Sequence, residues 1–133
     1  MTKLNWGLIG GGRGSQIGPA HRLGANVDGL FSFVAGALDH NPQAGKEYGQ
    51  ELGLSADRAY GDWQEMLAGE KKRADKIDLV TIATPNATHF EITKGFLEGG
   101  FHVLCEKPMT MTVEEGEEIV KIAEKTGQIC AVN

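Results

Sequence analysis

A glycine-rich stretch near the amino terminus has the composition of a phosphate-binding loop. Gly10–Gly18 follows an apolar run, Trp6–Ile9, and precedes a segment with helical character. Glycine permits a tight turn and a close approach of the backbone to a pyrophosphate, and the free N–H groups of a helix N-terminus attract phosphate oxygens. The stretch therefore predicts a dinucleotide-binding loop. The predicted cofactor contacts within it are Gly10, Gly12, Arg13, Gly14, Ser15, Gln16 and Ile17.

This loop departs from the usual pattern and leaves two alternatives open. Gly10 and Gly12 fit the first two positions of GxGxxG, but Ser15 occupies the third. The alternative to a phosphate-binding loop is a flexible glycine loop without a ligand. The position of the stretch between a strand and a helix favours phosphate binding. Arg13 either reaches a cofactor phosphate or stays in solvent.

Asp39 stands at the end of the second apolar run, Phe31–Leu38. A carboxylate there accepts hydrogen bonds from the adenosine ribose hydroxyls, and it disfavours the 2′-phosphate of NADP. The sequence therefore predicts NAD as the cofactor and NADP as the less favoured one. Asp39 lies farther from Gly12 than the usual spacing of about 20 residues, and a longer loop at Gly24–Gly29 can absorb the excess. The alternative is a turn aspartate ahead of Asn41.

Polar residues also follow two later apolar runs, at strand ends where ligands bind in open α/β sheets. The first group is Thr84, Pro85, Asn86 and His89, and the second is Glu106 and Lys107 before Pro108. A lysine at such a strand end can hold a substrate hydroxyl and help to move its proton, and Glu106 could hold or tune that lysine. By chemistry alone, His89 is more often a local hydrogen-bonding residue than a catalyst, and Lys107 in a lone Glu-Lys-Pro is only a charged strand end.

Five apolar runs are separated by segments with helical signals. The runs are nearly continuous, as in parallel strands covered on both faces; they are Trp6–Ile9, Phe31–Leu38, Ile77–Ala83, Phe101–Cys105 and Ile129–Val132. A sixth, short strand is expected around Arg58–Tyr60. The alternation predicts an α/β fold with a doubly wound parallel sheet, the Rossmann arrangement, in one dinucleotide-binding domain over residues 1–133.

The four predicted helices that follow the second apolar run each have a candidate cap at the start and an expected end. The predicted starts are Asn41-Pro42, Asp62, Asn86 with the pair Thr88…Glu91, and the capping box Thr112…Glu115; the predicted ends are Gly53, Leu67, Gly99-Gly100 and Gly127. The charged run Glu70–Lys76 is predicted to be a solvated helix end and loop.

Composition excludes several classes of partner. The net charge of −5 repels polyanions, so neither nucleic acid nor an anionic membrane is an expected partner. Cys105 and Cys130 form no CxxC pair and have no histidine at metal-ligand spacing, so no metal site is expected and both thiols are predicted to be reduced. The absence of a signal-like apolar stretch favours a cytoplasmic location.

Several motifs together resemble the Gfo/Idh/MocA oxidoreductase family, which includes glucose-fructose oxidoreductase and inositol dehydrogenase. They are the stretch Gly10–Gly18 followed by His21-Arg22, then Thr84-Pro85-Asn86…His89, and then Gly99–Pro108 with its Glu-Lys-Pro. The resemblance covers essentially the whole chain. It implies NAD(P) bound by the glycine loop, a catalytic role for Lys107 at the nicotinamide and substrate, and a cofactor side of the site lined by Thr84, Pro85, Asn86, His89 and Glu106.

The resemblance also implies an activity that needs a further domain. Family members continue into a second α/β domain that binds substrate and mediates oligomer contacts, and this chain is expected to lack it. The expected function of the parent is hydride transfer between nicotinamide and a hydroxyl-bearing carbon of a sugar or polyol, in a homo-oligomer, with this chain alone inactive. The alternative is a non-catalytic dinucleotide-binding sensor, in which a proton-handling lysine has no use.

Overall fold

The computed structural model describes residues 2–133, which alternate between strands and helices. The strands are β1 (Leu4–Gly10), β2 (Phe31–Ala37), β3 (Leu79–Ala83), β4 (His102–Cys105) and β5 (Cys130–Val132). The helices are α1 (Ile17–Val27), α2 (Pro42–Glu51), α3 (Trp63–Glu70), α4 (His89–Glu98) and α5 (Val113–Thr126), with a 3₁₀ turn at Asn86–Thr88 before α4.

All five strands pair in parallel, in the order β2-β1-β3-β4-β5. The chain therefore winds outward from β1 in both directions, which confirms the predicted doubly wound Rossmann sheet. The predicted strand at Arg58–Tyr60 is reduced to a single bridge, in which Ala59 pairs with Gly36 of β2. Within residues 2–133, the sheet thus has five strands, and one isolated bridge extends it beyond β2.

Local capping chemistry fixes most helix starts as predicted. The side chains of Asn41, Asp62 and Thr112 accept hydrogen bonds from backbone N–H groups in the first turns of α2, α3 and α5. The predicted cap at Thr88 is wrong, because its hydroxyl bonds the carbonyl oxygen of Pro85 and the hydroxyl of Thr84 instead.

The chain packs apolar side chains on both faces of the sheet. Leu8 of β1 faces α1 and α2, where Tyr48 packs against the same cluster. Its neighbour Ile9 faces the other side, with Ile82 of β3, Phe96 of α4 and other buried residues. Successive strand residues alternate between faces, so two helix layers bury the sheet centrally.

A buried ion pair anchors the edge beyond β2. It shows that the prediction of a solvated segment at Glu70–Lys76 is wrong for Glu70, whereas residues 71–76 are mostly exposed as predicted. The Arg58 guanidinium contacts both carboxylate oxygens of Glu70, at 2.7 and 3.1 Å, and the side chain of Glu70 is fully buried. Tyr60 and the backbone N–H of Ile77 donate to the same carboxylate. Such a pair is costly to break, because removal of one partner leaves an uncompensated buried charge.

Neither cysteine is in a disulfide. Burial raises the pKa of the Cys105 thiol to about 11, so this thiol is largely protonated and unreactive at neutral pH. Over residues 2–133, no helix is long and apolar enough to cross a membrane.

Candidate functional site

A cavity of about 810 Å³ lies above the carboxyl ends of β1, β2 and β3. In an open α/β sheet, this edge is where ligands bind. The predicted residues that line it are Gly10, Gly12, Arg13, Ser15, Asp39, Thr84 and Pro85. Its size lies within the range of small-molecule and cofactor sites.

The glycine loop forms the floor of this cavity, and it packs too closely on the ends of β2 and β3 for Gly10 or Gly12 to carry a side chain. A Cβ atom at Gly12 would lie 2.4 Å from the carbonyl oxygen of Leu38 and 3.1 Å from Oδ2 of Asp39. Gly10 has a φ of +77°, a conformation that favours glycine, and its Cβ would lie 2.4 Å from the carbonyl oxygen of Ala83. The loop is therefore a backbone cradle that fits a pyrophosphate.

Gly18 performs the packing role that the pattern gives to its third glycine. It is the second residue of α1, and a Cβ there would lie 2.2 Å from the carbonyl oxygen of Gly11. The helix therefore seats directly on the loop backbone. Ser15, at the nominal third position, instead accepts a hydrogen bond from the Gly18 N–H at 3.1 Å.

Arg13 lies at the rim of the cavity and is engaged on its outer side. Its Nη2 is 2.5 Å from a carboxylate oxygen of Glu51, and both side chains are mostly exposed. The guanidinium also lies over the Tyr48 ring, 4.9 Å from its centroid. A cofactor phosphate would therefore have to compete with Glu51 for Arg13.

The carboxylate of Asp39 has one oxygen in a turn and the other at the loop. Oδ1 accepts the N–H of Asn41 at 2.9 Å, as the turn alternative required. Oδ2 faces Gly12, and no residue in the described chain donates a hydrogen bond to it. The two interpretations of Asp39 are thus compatible, because each uses a different oxygen.

His89 lies beneath the site rather than in it. The side chain is fully buried, with Nδ1 2.6 Å from the carbonyl oxygen of Pro108 and Nε2 2.9 Å from that of Thr84. A carbonyl oxygen only accepts, so the ring nitrogens face two acceptors at once. His89 thereby ties the segment after β3 to the segment after β4.

Glu106 is held by the side chains of residues distant in sequence, and within residues 2–133 it forms no ion pair with the ammonium group of its neighbour Lys107. Its Oε1 accepts from His21 of α1 and from Asn133, each at 2.8 Å, and the side chain is only 12% exposed. Burial alone would raise the pKa of Glu106, but the hydrogen bonds from Asn133 and His21 outweigh it, and its pKa lies below the ordinary value. A charged carboxylate is therefore fixed at the end of β4.

Lys107 follows at the same edge of the sheet. Its side chain is exposed, and within residues 2–133 no carboxylate pairs with it. The Lys107–Pro108 peptide bond is cis. The ammonium group is therefore free for a ligand that lies above β3 and β4.

The comparisons with known proteins agree with this geometry. The family model described as an oxidoreductase family with an NAD-binding Rossmann fold, GFO_IDH_MocA, matches residues 4–133. The chain belongs to the Gfo/Idh/MocA family. The predicted family and its NAD-binding Rossmann domain are thereby confirmed.

Two relatives of this Gfo/Idh/MocA domain show how much of a longer protein it resembles. The chain is 51% identical over 130 residues to the uncharacterized oxidoreductase YfiI of Bacillus subtilis (strain 168), covering 97% of this chain and 33% of that protein. It is 35% identical over 124 residues to the levoglucosan dehydrogenase of Pseudarthrobacter phenanthrenivorans, covering 88% of this chain and 29% of that protein.

A solved structure gives the same proportions. An inositol dehydrogenase homolog from Azotobacter vinelandii, complexed with NADH and myo-inositol, superimposes with a TM-score of 0.97 at 44% identity. The match covers 99% of this chain and 35% of that one. The chain thus spans about a third of the length of the relatives that it matches.

The Gfo/Idh/MocA domain does not bring all predicted site residues to the cavity. Glu106 and Lys107 lie beside it at the end of β4, and His89 lies below it. Four further predicted residues do not line the cavity. Gly14 and Gln16 lie in the loop before α1, Ile17 is the first residue of α1, and Asn86 lies in the 3₁₀ turn.

Sequence reasoning missed one end of this cavity. Its lining there includes Asp62 and Trp63 at the start of α3, and Glu91 and Ile92 in the first turns of α4. The cap motif at Asp62 located the start of α3 but gave no sign that this end meets the carboxyl edge of the sheet. That meeting requires α3 and α4 to pack on the same face.

Proposed function

We propose that this chain is the cofactor-binding part of an NAD-dependent oxidoreductase that acts on a hydroxyl-bearing carbon of a sugar or polyol. The observation that carries the proposal is the convergence of three segments at one sheet edge. The glycine loop, Thr84-Pro85 and Lys107 follow β1, β3 and β4, which are adjacent in the sheet.

This order suits a dinucleotide laid across the strand ends. The loop would hold the pyrophosphate through backbone N–H groups, and Oδ2 of Asp39 would accept from the adenosine ribose. The nicotinamide half would then extend over β3 toward Lys107. When bound, NAD supplies the hydride-accepting ring for alcohol oxidation.

Lys107 would act on the hydroxyl that is oxidised. Its amino group would hold the hydroxyl oxygen by a hydrogen bond and take part in moving the released proton. Glu106, anchored by His21, would fix the backbone from which Lys107 projects and would add negative charge near it. Support for the substrate class comes from relatives, among them the levoglucosan dehydrogenase and the homolog solved with myo-inositol.

The test is Lys107→Met in the full-length protein, assayed with NAD and a panel of polyols and sugars. We expect kcat to fall by roughly 10²–10⁴-fold, the range of general acid–base contributions. The dissociation constant for NADH should change little, because the proposed phosphate and ribose contacts lie at the loop and Asp39. Met keeps the length of the side chain and its apolar stem.

Two outcomes would contradict this role. Unchanged turnover with normal folding and NADH binding would remove Lys107 from the mechanism. NADH binding without turnover of any panel member by the wild-type protein would instead favour the sensor alternative.

A further inference from the structure

The end of the cavity at α3 and α4 is lined in part by apolar residues. Ile92 of α4 is almost fully buried there, and Trp63 of α3, which is half-buried, belongs to the same lining. The indole ring packs on α4 at Gly95, where a Cβ atom would lie 3.0 Å from Cζ3 of Trp63. A lining of this kind suits a planar, aromatic group.

One lining carboxylate at this end has no partner. Glu91 is the third residue of α4, and it is an exposed residue of the cavity lining. No described residue donates a hydrogen bond to its carboxylate or forms an ion pair with it. The other lining carboxylates are engaged, since Asp62 caps α3 through the N–H of Glu65 and Asp39 accepts from Asn41. Glu91 is therefore the cavity acceptor with both oxygens available.

The proposed position of the dinucleotide determines which group reaches this end. With the pyrophosphate on the glycine loop and the adenosine ribose at Asp39, the base must continue away from Lys107, toward Trp63 and Glu91. Adenine carries an exocyclic amino group on the edge remote from the ribose, and that group donates hydrogen bonds.

We propose that Glu91 is a specificity-determining residue that accepts a hydrogen bond from the adenine amino group, and so selects an adenine dinucleotide. This inference rests on the proposed position of NAD. A carboxylate accepts and does not donate, so a base with a carbonyl oxygen at the same place meets repulsion instead of a bond. Hypoxanthine is that base, and it has the same size and shape.

The experiment compares NADH with its hypoxanthine analogue, deamino-NADH, by fluorescence titration of the wild-type protein and of Glu91→Gln. We expect the wild type to bind NADH about ten-fold more tightly, the effect of one charge-assisted hydrogen bond in a partly solvated site. A glutamine amide can turn to accept from adenine or donate to hypoxanthine, so the preference should fall to about two-fold or less.

A matched control is Glu98→Gln, at the opposite end of α4 and outside the cavity lining. It removes the same charge from the same helix and should leave the ten-fold preference intact. Circular dichroism spectra of both variants should match the wild type, because both positions are exposed.

Each outcome decides between separate claims. Equal binding of the two dinucleotides by the wild type, or an unchanged preference in Glu91→Gln, would overturn the role of Glu91 while NAD binding itself stands. Loss of preference in Glu98→Gln would show a long-range charge effect and would also overturn it. No binding of either dinucleotide by the wild type would refute the proposed position of the cofactor as well.

Discussion

The contact between Gly18 and Gly11 should control both the stability of the domain and its affinity for NADH. An alanine at Gly18 would bring its Cβ to 2.2 Å from the carbonyl oxygen of Gly11, well inside van der Waals contact. The oxygen is a backbone atom and a Cβ is fixed rigidly to its own backbone, so α1 must move away from the loop by about 1 Å to relieve the overlap. The N–H groups at the start of α1 would move with it.

The magnitude follows from two opposing effects. Overpacking of a tight contact costs about 1–3 kcal/mol, and replacement of glycine by alanine in a helix returns about 0.5–1 kcal/mol. We expect Gly18→Ala to lower the free energy of unfolding by roughly 1–2 kcal/mol, and Tm by roughly 3–6 °C. NADH affinity should fall by about ten-fold or more, because the proposed phosphate contacts depend on the loop geometry.

Gly24→Ala is the matched control, since Gly24 lies in the same helix and a Cβ there meets no atom within 4 Å. It should raise the free energy of unfolding by about 0.5–1 kcal/mol and leave NADH binding unchanged. Urea denaturation with equal m-values and NADH titration measure both quantities. A Gly18→Ala protein as stable as wild type, with normal NADH affinity, would refute the reasoning.

Two further predictions concern carboxylates at the sheet edge. Asp39→Asn keeps an acceptor for the N–H of Asn41 but removes the negative charge. In parallel titrations, the ratio of NADPH to NADH dissociation constants should therefore fall by roughly ten-fold. An unchanged ratio would mean that Asp39 does not face the ribose. Glu106→Gln should lower the free energy of unfolding by about 1–2 kcal/mol at pH 7. Because the folded pKa of Glu106 is depressed below its ordinary value of 4.5, that contribution is present above pH 4.5 and lost as pH falls through the folded pKa. Denaturation curves from pH 3 to 7 that show a constant difference between Glu106→Gln and wild type would contradict the charge argument.

The amino-acid sequence determined the features that depend on near neighbours along the chain. Continuous apolar runs predicted parallel strands, because such strands are covered on both faces. Asn41 and Thr112 predicted helix starts correctly, since a cap bonds a backbone N–H only three residues away. The position of the glycine loop followed from the same local logic.

Tertiary packing decided the features that join distant segments. Glu106 pairs with His21, 85 residues earlier, and no pattern within either segment signals that contact. Gly18 takes the packing role that the loop pattern assigns to its third glycine, because α1 starts two residues after Ser15. The identity of the packed glycine therefore depends on how the helix lies on the loop.

The cavity shows the same division. The apolar runs are enough to place Gly12, Asp39 and Thr84 at one edge of the sheet, because parallel strands end together there. The contributions of Trp63 and Glu91 come from the packing of α3 beside α4, which the sequence does not encode locally. The family resemblance implies that His89 lines the site, but His89 is buried beneath it, where its ring meets two backbone carbonyls from separate segments. The alternative interpretation of His89 as a hydrogen-bonding residue agrees with these contacts. Local hydrogen bonds can be inferred from spacing alone, whereas contacts between segments exist only once burial of apolar surface has brought those segments together.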